Sequence, residues 1–292
     1  MKDLVVDEKF LEQIELLQLS INDVLQGRFG GNHKTKTYGS SVEFADYREY
    51  IPGDDISKID WSVFARTENL FLKLFLDERQ LHTRIYIDAS ASMGFFSKGE
   101  KALELAASLA YLSIKYMDKV SIYYIQDNKI YGLLENVVGK DSFLNSIGKL
   151  NDITFKGSSD LSDAIVTSVV GYGDGNSIII SDFLTDSNYD NVIDHLRGKR
   201  RDVLCLQVLA PEELNPSFRG KVILYDSENN QKYYKNNINK SVVEAYQEAL
   251  DYVTSRIRNY CQIRDANYLL VPSDRSLQDI FFKDLMSMEV VK

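Results

Sequence analysis

Thr83-Arg84-Ile85-Tyr86-Ile87-Asp88-Ala89-Ser90-Ala91-Ser92-Met93-Gly94 is the stretch that decides the fold. Residues 83–87 form a compact β-branched and aromatic run, which reads as a buried strand. Residues 98–119 then carry the pattern of a long amphipathic helix. One acid and two hydroxyls, spaced two apart, therefore stand where a strand's carboxyl end turns into a helix. In open α/β sheets that is where ligands bind. Asp88, Ser90 and Ser92 are read as holders of a hard divalent cation.

Downstream, strands and helices alternate. Residues 120–125 read as a strand, Asp127-Asn128 as a turn, and 130–134 as its hairpin partner. A helix over 141–150, a loop over 151–159 and a helix from Asp160 to about Val170 follow. Residues 177–181, with three consecutive isoleucines, make a fully buried strand ended by Asp182. Residues 191–197 are helical and 203–209 form another buried strand. A β-hairpin insertion near 220–235 pairs 221–225 with 231–234 around Asn229-Asn230. A long helix over 240–258, a short strand over 268–271 and a C-terminal helix complete the chain. This alternation predicts an α/β domain over 81–292, a doubly wound, mainly parallel sheet flanked by helices.

Upstream, Phe10, Ile14, Leu17, Ile21 and Val24 share one face of a helix over 7–25, with Gly27 as its stop. Residues 28–39, with His33, Lys34 and Lys36, read as a loop. Pro52-Gly53 suits the centre of a type II turn, after which Asp54 or Asp55 caps a segment over 56–66. Residues 69–75 are strand-like. The block 1–80 has too few elements to bury its own aromatics, so it is read as an extension packed on the main domain.

Composition limits the function classes. A net charge of −9 argues against general nucleic-acid binding. The small basic run Gly198-Lys199-Arg200-Arg201 reads as a solvated helix end. Cys205 falls in an apolar run and Cys261 is its only companion, a usage that points to a reducing compartment. Met1-Lys2-Asp3-Leu4-Val5 lacks a secretory pattern, and no apolar run is long enough to span a bilayer. The expectation is a soluble cytoplasmic protein with no integral membrane segment.

Two further segments offer oxygen ligands: the loop Gly157-Ser158-Ser159-Asp160-Leu161, and Asp182. With strand order 3-2-1-4-5-6, strands one and four are neighbours at the switch point. Asp88 and Asp182 would then face one crevice, with Ser159 at its rim. Carboxylates and hydroxyls without sulfur or imidazole favour Mg²⁺ or Mn²⁺. The plainer alternative is serines that cap helices and acids that merely end strands. As a set, Asp88, Ser90, Ser92, Ser159 and Asp182 resemble the metal-ion-dependent adhesion site of von Willebrand factor A domains, with Ser159 where that family usually has threonine. The resemblance implies that the three hydroxyls ligate the metal, that the acids act directly or through water, and that a carboxylate from a protein partner completes the shell.

The run Glu43-Phe44-Ala45-Asp46-Tyr47-Arg48-Glu49-Tyr50-Ile51-Pro52-Gly53-Asp54-Asp55, with Ile59-Asp60-Trp61 and Ala65-Arg66-Thr67, resembles the signature of the domain-of-unknown-function-58 family. That resemblance implies a bacterial or archaeal source and an adaptor or chaperone-like role beside a MoxR-type AAA+ ATPase, in assembly or maturation of protein complexes. It assigns no role to the signature itself. Physically, Arg48 can pair with Asp54, Asp55 or Asp60, and Trp61 can anchor the segment. Architecture is thus the favoured reading, with direct partner contact the alternative.

Enzyme readings find less support. None of His33, His82 and His195 has an identifiable place opposite the serines, and no Gly-x-Ser-x-Gly elbow exists. A phosphate loop of the form Gly-x-x-x-x-Gly-Lys-Ser/Thr is also missing. A metal-dependent hydrolase using Asp88 and Asp182, and a scaffold with an empty metal site, stand as the alternatives to a metal-dependent interaction module.

Overall fold

The computed structural model describes residues 5–17, 44–75, 81–115, 117–168, 172–185, 188–217, 220–225 and 233–288. The chain forms two compact units, Leu25–Gln80 and Met1–Val24 with Leu81–Lys292. Helix α1 (residues 8–17) buries Phe10, Ile14 and Leu17, as their spacing predicts. It belongs with the large unit rather than with the remainder of the first 80 residues. The reason is a set of long-range bonds: Val5 N and Val6 N donate to Asn151 Oδ1, each at 3.0 Å, and Glu15 pairs with Lys140 at 2.5 Å. The rest of the helix expected to residue 25, its stop at Gly27 and the loop with His33 lie outside the described residues.

In the smaller unit, β1 (Phe44–Glu49) pairs antiparallel with β2 (Phe71–Phe75), with Arg48 opposite Leu72. Asp54 N closes the Pro52-Gly53 turn onto Ile51 O at 3.0 Å. The single capped segment expected over 56–66 is two pieces, a 3₁₀ turn Ile56–Lys58 and helix α2 (Trp61–Thr67). The break has a packing cause. Ile59 forms a bridge with Leu72, and both side chains are buried. Each piece has its own cap: Asp55 accepts from Ser57 N at 3.0 Å, and Asp60 from Ser62 N at 2.9 Å and Val63 N at 3.3 Å.

The large unit begins with β3 (His82–Asp88), α3 (Lys98–Lys115), β4 (Lys119–Gln126), β5 (Lys129–Val137) and α4 (Lys140–Ile147). It continues with α5 (Leu161–Thr167), β6 (Gly175–Ser181), α6 (Tyr189–Gly198) and β7 (Arg201–Leu209). After the short α7 (Pro211–Leu214), the inserted hairpin β8 (Gly220–Tyr225) and β9 (Tyr233–Ile238) is present. Its second strand runs on to Ile238, past the expected end at 234, and residues 226–232, with the Asn229-Asn230 turn, lie outside the described residues. The long helix α8 (Lys240–Ile263), β10 (Asn267–Pro272), and α9 (Leu277–Asp279) running into a wide turn Ile280–Leu285 finish the chain. Helix α3 stops earlier than expected because Met117 turns left-handed (φ 61°) and Asp118 Oδ1 accepts from Leu81 N at 3.0 Å.

The central sheet has the order β10-β7-β6-β3-β4-β5, parallel except for β5, which is antiparallel to β4. Numbered within the sheet, that order is 3-2-1-4-5-6, with β3 and β6 adjacent at the switch point. Runs such as Ile178-Ile179-Ile180 are buried throughout, as strands covered by helices on both faces must be. One core joins Tyr86, Ile179 and Cys205 of the sheet to Ile193 of α6 and Ile257 and Cys261 of α8. Both thiols are free and buried. No helix among the described residues is long and apolar enough to cross a membrane.

At the amino-terminal edge of the sheet the structure overturns one expectation. Arg201, read as part of a solvated helix end, is 1% exposed. It opens β7 as a clamp: Nε donates to Ser177 Oγ at 3.1 Å and Nη2 to the carbonyls of His82 and Asn176. Burial, reinforced by the Arg84 charge, pulls the Arg201 pKa down to about 10. Beside it, burial together with Arg84, Arg201 and Lys119 holds His82 down to about 4. Unfolded His82 takes a proton near its ordinary value of 6.5 while folded His82 resists until about 4, so stability falls as pH falls through that window. His82→Gln is expected to flatten this part of the acid limb, measured as denaturant midpoints between pH 7 and pH 4.5. Equal slopes for variant and wild type would contradict it.

Candidate functional site

The sheet places the strand-end acids together. Asp88 ends β3, and β6 ends at Ser181 immediately before Asp182. Asp88, Ser90, Ser159 and Asp182 are all buried, and Ser92 is half-buried. Asp88 Oδ1 accepts from Ser90 N at 3.0 Å and Ser159 Oγ at 2.8 Å. Its Oδ2 accepts from Ser181 Oγ at 2.6 Å, and Ser90 Oγ lies 3.1 Å from Ser92 Oγ. The geometry thus brings the first and second ligand segments into direct contact, while Asp182 lies close enough to act on Asp88 by charge.

Each segment is positioned by backbone demands. Asp127 N donates to Ser158 O at 2.7 Å and Ala91 N to Gly157 O at 2.9 Å, which ties the Ser159 loop to the β4–β5 turn and to the motif. Gly157 has φ +72°, a conformation that favours glycine, and lies against the Asp127 carboxylate, whose Oδ1 would stand 2.2 Å from a Cβ there. Buried Gln126 donates its amide to the carbonyls of Thr154 at 2.7 Å and Lys156 at 3.0 Å, holding the same loop from beneath.

Three participants were not singled out from the sequence. Ser181 bonds Asp88. Lys98, 1% exposed, donates to Asp182 Oδ2 at 2.9 Å and to Glu213 Oε1 at 2.6 Å. Glu213, on α7, also accepts from Ala210 N at 2.8 Å. One sequence signal pointed to Lys98. It is the first residue of α3, where the helix dipole disfavours a cation, so a lysine there needs an anionic partner.

The electrostatics leave a deficit of positive charge. Burial, and next the neighbouring Asp182 charge, push Asp88 above the usual carboxylate range, only partly offset by its hydrogen bonds. Burial alone would lower Lys98, but Asp182 and Glu213 outweigh it and hold the ammonium charged. Lys98 pairs with Asp182 and Glu213, while the bonds that reach Asp88 come from two hydroxyls and one N–H. A buried carboxylate without a cation is costly. Two acids and three hydroxyls are hard oxygen donors, so the residues fit Mg²⁺ or Mn²⁺. No cluster of three or more His, Cys, Asp or Glu suited to a metal occurs among the described residues; the hydroxyls are what make this donor set.

The signature residues sit in the smaller unit. Arg48 Nη2 pairs with Asp54 Oδ1 at 2.8 Å, not with Asp55 or Asp60. Asp60 is buried and accepts from Tyr47 OH at 2.8 Å and from Lys73 Nζ at 3.2 Å. Burial would raise its pKa, but these bonds and the two helix N–H groups outweigh that and hold it below the usual range. Arg66 Nε donates to Ser62 O at 3.1 Å. Trp61 corrects its expected role as an anchor: it is 58% exposed, on the outer side of α2, with its ring edge-on to Phe64 at 6.0 Å.

Comparison with known proteins gives a family and little else. The family described as protein of unknown function DUF58 matches residues 46–254. Uncharacterized proteins of Mycobacterium bovis and Mycobacterium tuberculosis are each 27% identical over 230 residues, covering 76% of this chain and 72% of theirs. Among solved structures, the crystal structure of the SpRpn10 VWA domain aligns with TM-score 0.38 and 11% identity, covering 68% of this chain and 92% of that one.

Proposed function

The chain belongs to the DUF58 family, and from that premise we propose that it is a non-enzymatic, metal-dependent protein-interaction module. In this reading Asp88, Ser90, Ser92, Ser159 and Asp182 hold Mg²⁺ or Mn²⁺. The bound ion supplies a Lewis-acidic position for a carboxylate of a protein partner. The chain's own residues hold that position: Gln126 and Gly157 fix the Ser159 loop, and Ser181 and the Ser90 N–H orient Asp88. The carrying observation is buried Asp88, bonded by two hydroxyls and one N–H and repelled by the neighbouring Asp182, at the carboxyl end of the sheet. The partner class favoured by the family resemblance is a MoxR-type AAA+ ATPase, with the chain acting as adaptor in assembly or maturation of complexes.

Hydrolysis is the weaker reading because, among the described residues, neither histidine bonds to the site. His82 opens β3 and Asp88 ends it, a separation of about 20 Å along the strand. His195 lies on α6 with its Nε2 buried and unpartnered. A scaffold reading draws on Lys98, whose ammonium neutralises Asp182 without any metal. The test is capture of a purified MoxR-type ATPase by immobilised chain. Retention in Mg²⁺ that is lost in chelator and in Asp88→Asn is the expected result. Equal retention in all three, or phosphoester turnover that Asp88→Asn abolishes, would overturn it.

Exposure of Trp61 and Phe64 shifts the signature toward partner contact. Trp61→Ala is expected to leave the unfolding free energy within about 0.5 kcal/mol of wild type, as exposed positions do, while weakening that capture. A large stability loss with capture intact would restore the architectural reading.

A further inference from the structure

We propose that Lys98 is a tethered counter-cation that sets how tightly the site takes a divalent ion, by occupying Asp182 and Glu213. The inference rests on the metal-binding reading and assigns a role to a residue outside the ligand set. Lys98 is an expensive residue to keep. Its side chain is 1% exposed and opens a helix whose dipole opposes it. Two carboxylates at 2.9 and 2.6 Å compensate it. Glu213 is itself locked by Ala210 N, so the pair is built from both sides.

The consequence for Asp182 is specific. Its Oδ2 accepts from Lys98 and its Oδ1 from Leu184 N at 3.1 Å, while its carbonyl oxygen takes the Gln207 amide at 2.8 Å. Both carboxylate oxygens are thus engaged before any ion arrives. Asp88 differs: its contacts are three light donors, two of which are hydroxyls free to rotate and present lone pairs instead. Counted as formal charges, Asp88, Asp182 and Glu213 contribute −3 and Lys98 +1, a net of −2. A divalent ion meets that net charge, and Lys98 keeps it from rising to −3.

Two substitutions move that charge in opposite directions. Lys98→Met preserves the bulk of the side chain and takes the net to −3; Glu213→Gln keeps the bond to Lys98 and takes it to −1. Titration with Mg²⁺ or Mn²⁺ alone, by calorimetry and by thermal unfolding, should show about tenfold or more tighter binding for Lys98→Met and about tenfold or more weaker binding for Glu213→Gln. Lys98→Met should also melt lower without metal and recover with it. If Lys98→Met fails to fold, Glu213→Gln and Lys98→Arg carry the test, the first binding more weakly and the second like wild type. Wild-type binding with both variants weaker, or neither changed, would overturn the inference and leave metal binding standing. No binding by any form would overturn both.

Discussion

Asp88→Asn is expected to lower divalent-cation affinity by at least about a hundredfold, while leaving the metal-free protein at least as stable as wild type. The two effects share one cause. Asp88 is buried, contacted by two hydroxyls and an N–H, and repelled by Asp182. Loss of its charge removes a carboxylate–cation attraction; even two unit charges as far as 4 Å apart attract by about 4 kcal/mol at an effective dielectric near 20. The amide keeps an acceptor for Ser90 N and Ser159 Oγ and can donate to Ser181 Oγ. Relief of the buried repulsion should then raise metal-free stability by about 1 kcal/mol or more. Calorimetric titration and denaturant unfolding measure the two halves. A variant that binds metal like wild type, or that is destabilised by several kcal/mol without metal, would show that Asp88 is held for architecture instead.

Gly175→Ala is expected to cost about 4 kcal/mol, the largest single stability effect outside the core. Gly175 opens β6 at φ +144°, and a Cβ there would lie 2.5 Å from His82 O and 2.8 Å from His82 N. Those atoms are backbone of β3, so no side chain can turn away to make room. Backbone strain of about 1–3 kcal/mol adds to overpacking of about 1–3 kcal/mol. The same spreading would disturb the Arg201 clamp, whose Nη1 is 2.9 Å from that Cβ position. Urea unfolding of the variant measures the loss; a change below about 1 kcal/mol would mean that β3 and β6 part easily at this edge.

The fold was legible because its strands are runs of apolar residues that end in polar punctuation. Ser177 to Asp182 and Thr83 to Asp88 each announce a covered strand and its carboxyl end, and the βα alternation then gives strand order and the adjacency of Asp88 with Asp182. What stayed hidden depends on partners far along the chain. Lys98 and Glu213 are separated by 115 residues, and nothing local to either announces the other. Arg201 looked like surface charge because its neighbours Lys199 and Arg200 are basic, yet a carbonyl of β3 and one of β6 turn it inward. The segment 56–66 read as one capped piece, but one buried bridge from Ile59 to Leu72 outweighs local propensity and splits it. Trp61 read as an anchor from its size; burial is a property of the assembled unit and not of the side chain.

A direct test of the proposed metal site is a calorimetric titration of Mn²⁺ into the wild-type chain and into Asp88→Asn. Metal-dependent recognition at this site predicts one ion per chain for the wild type, released by chelator, and no saturable heat for the variant. Indistinguishable titrations of the two proteins, or no binding by the wild type, would contradict it.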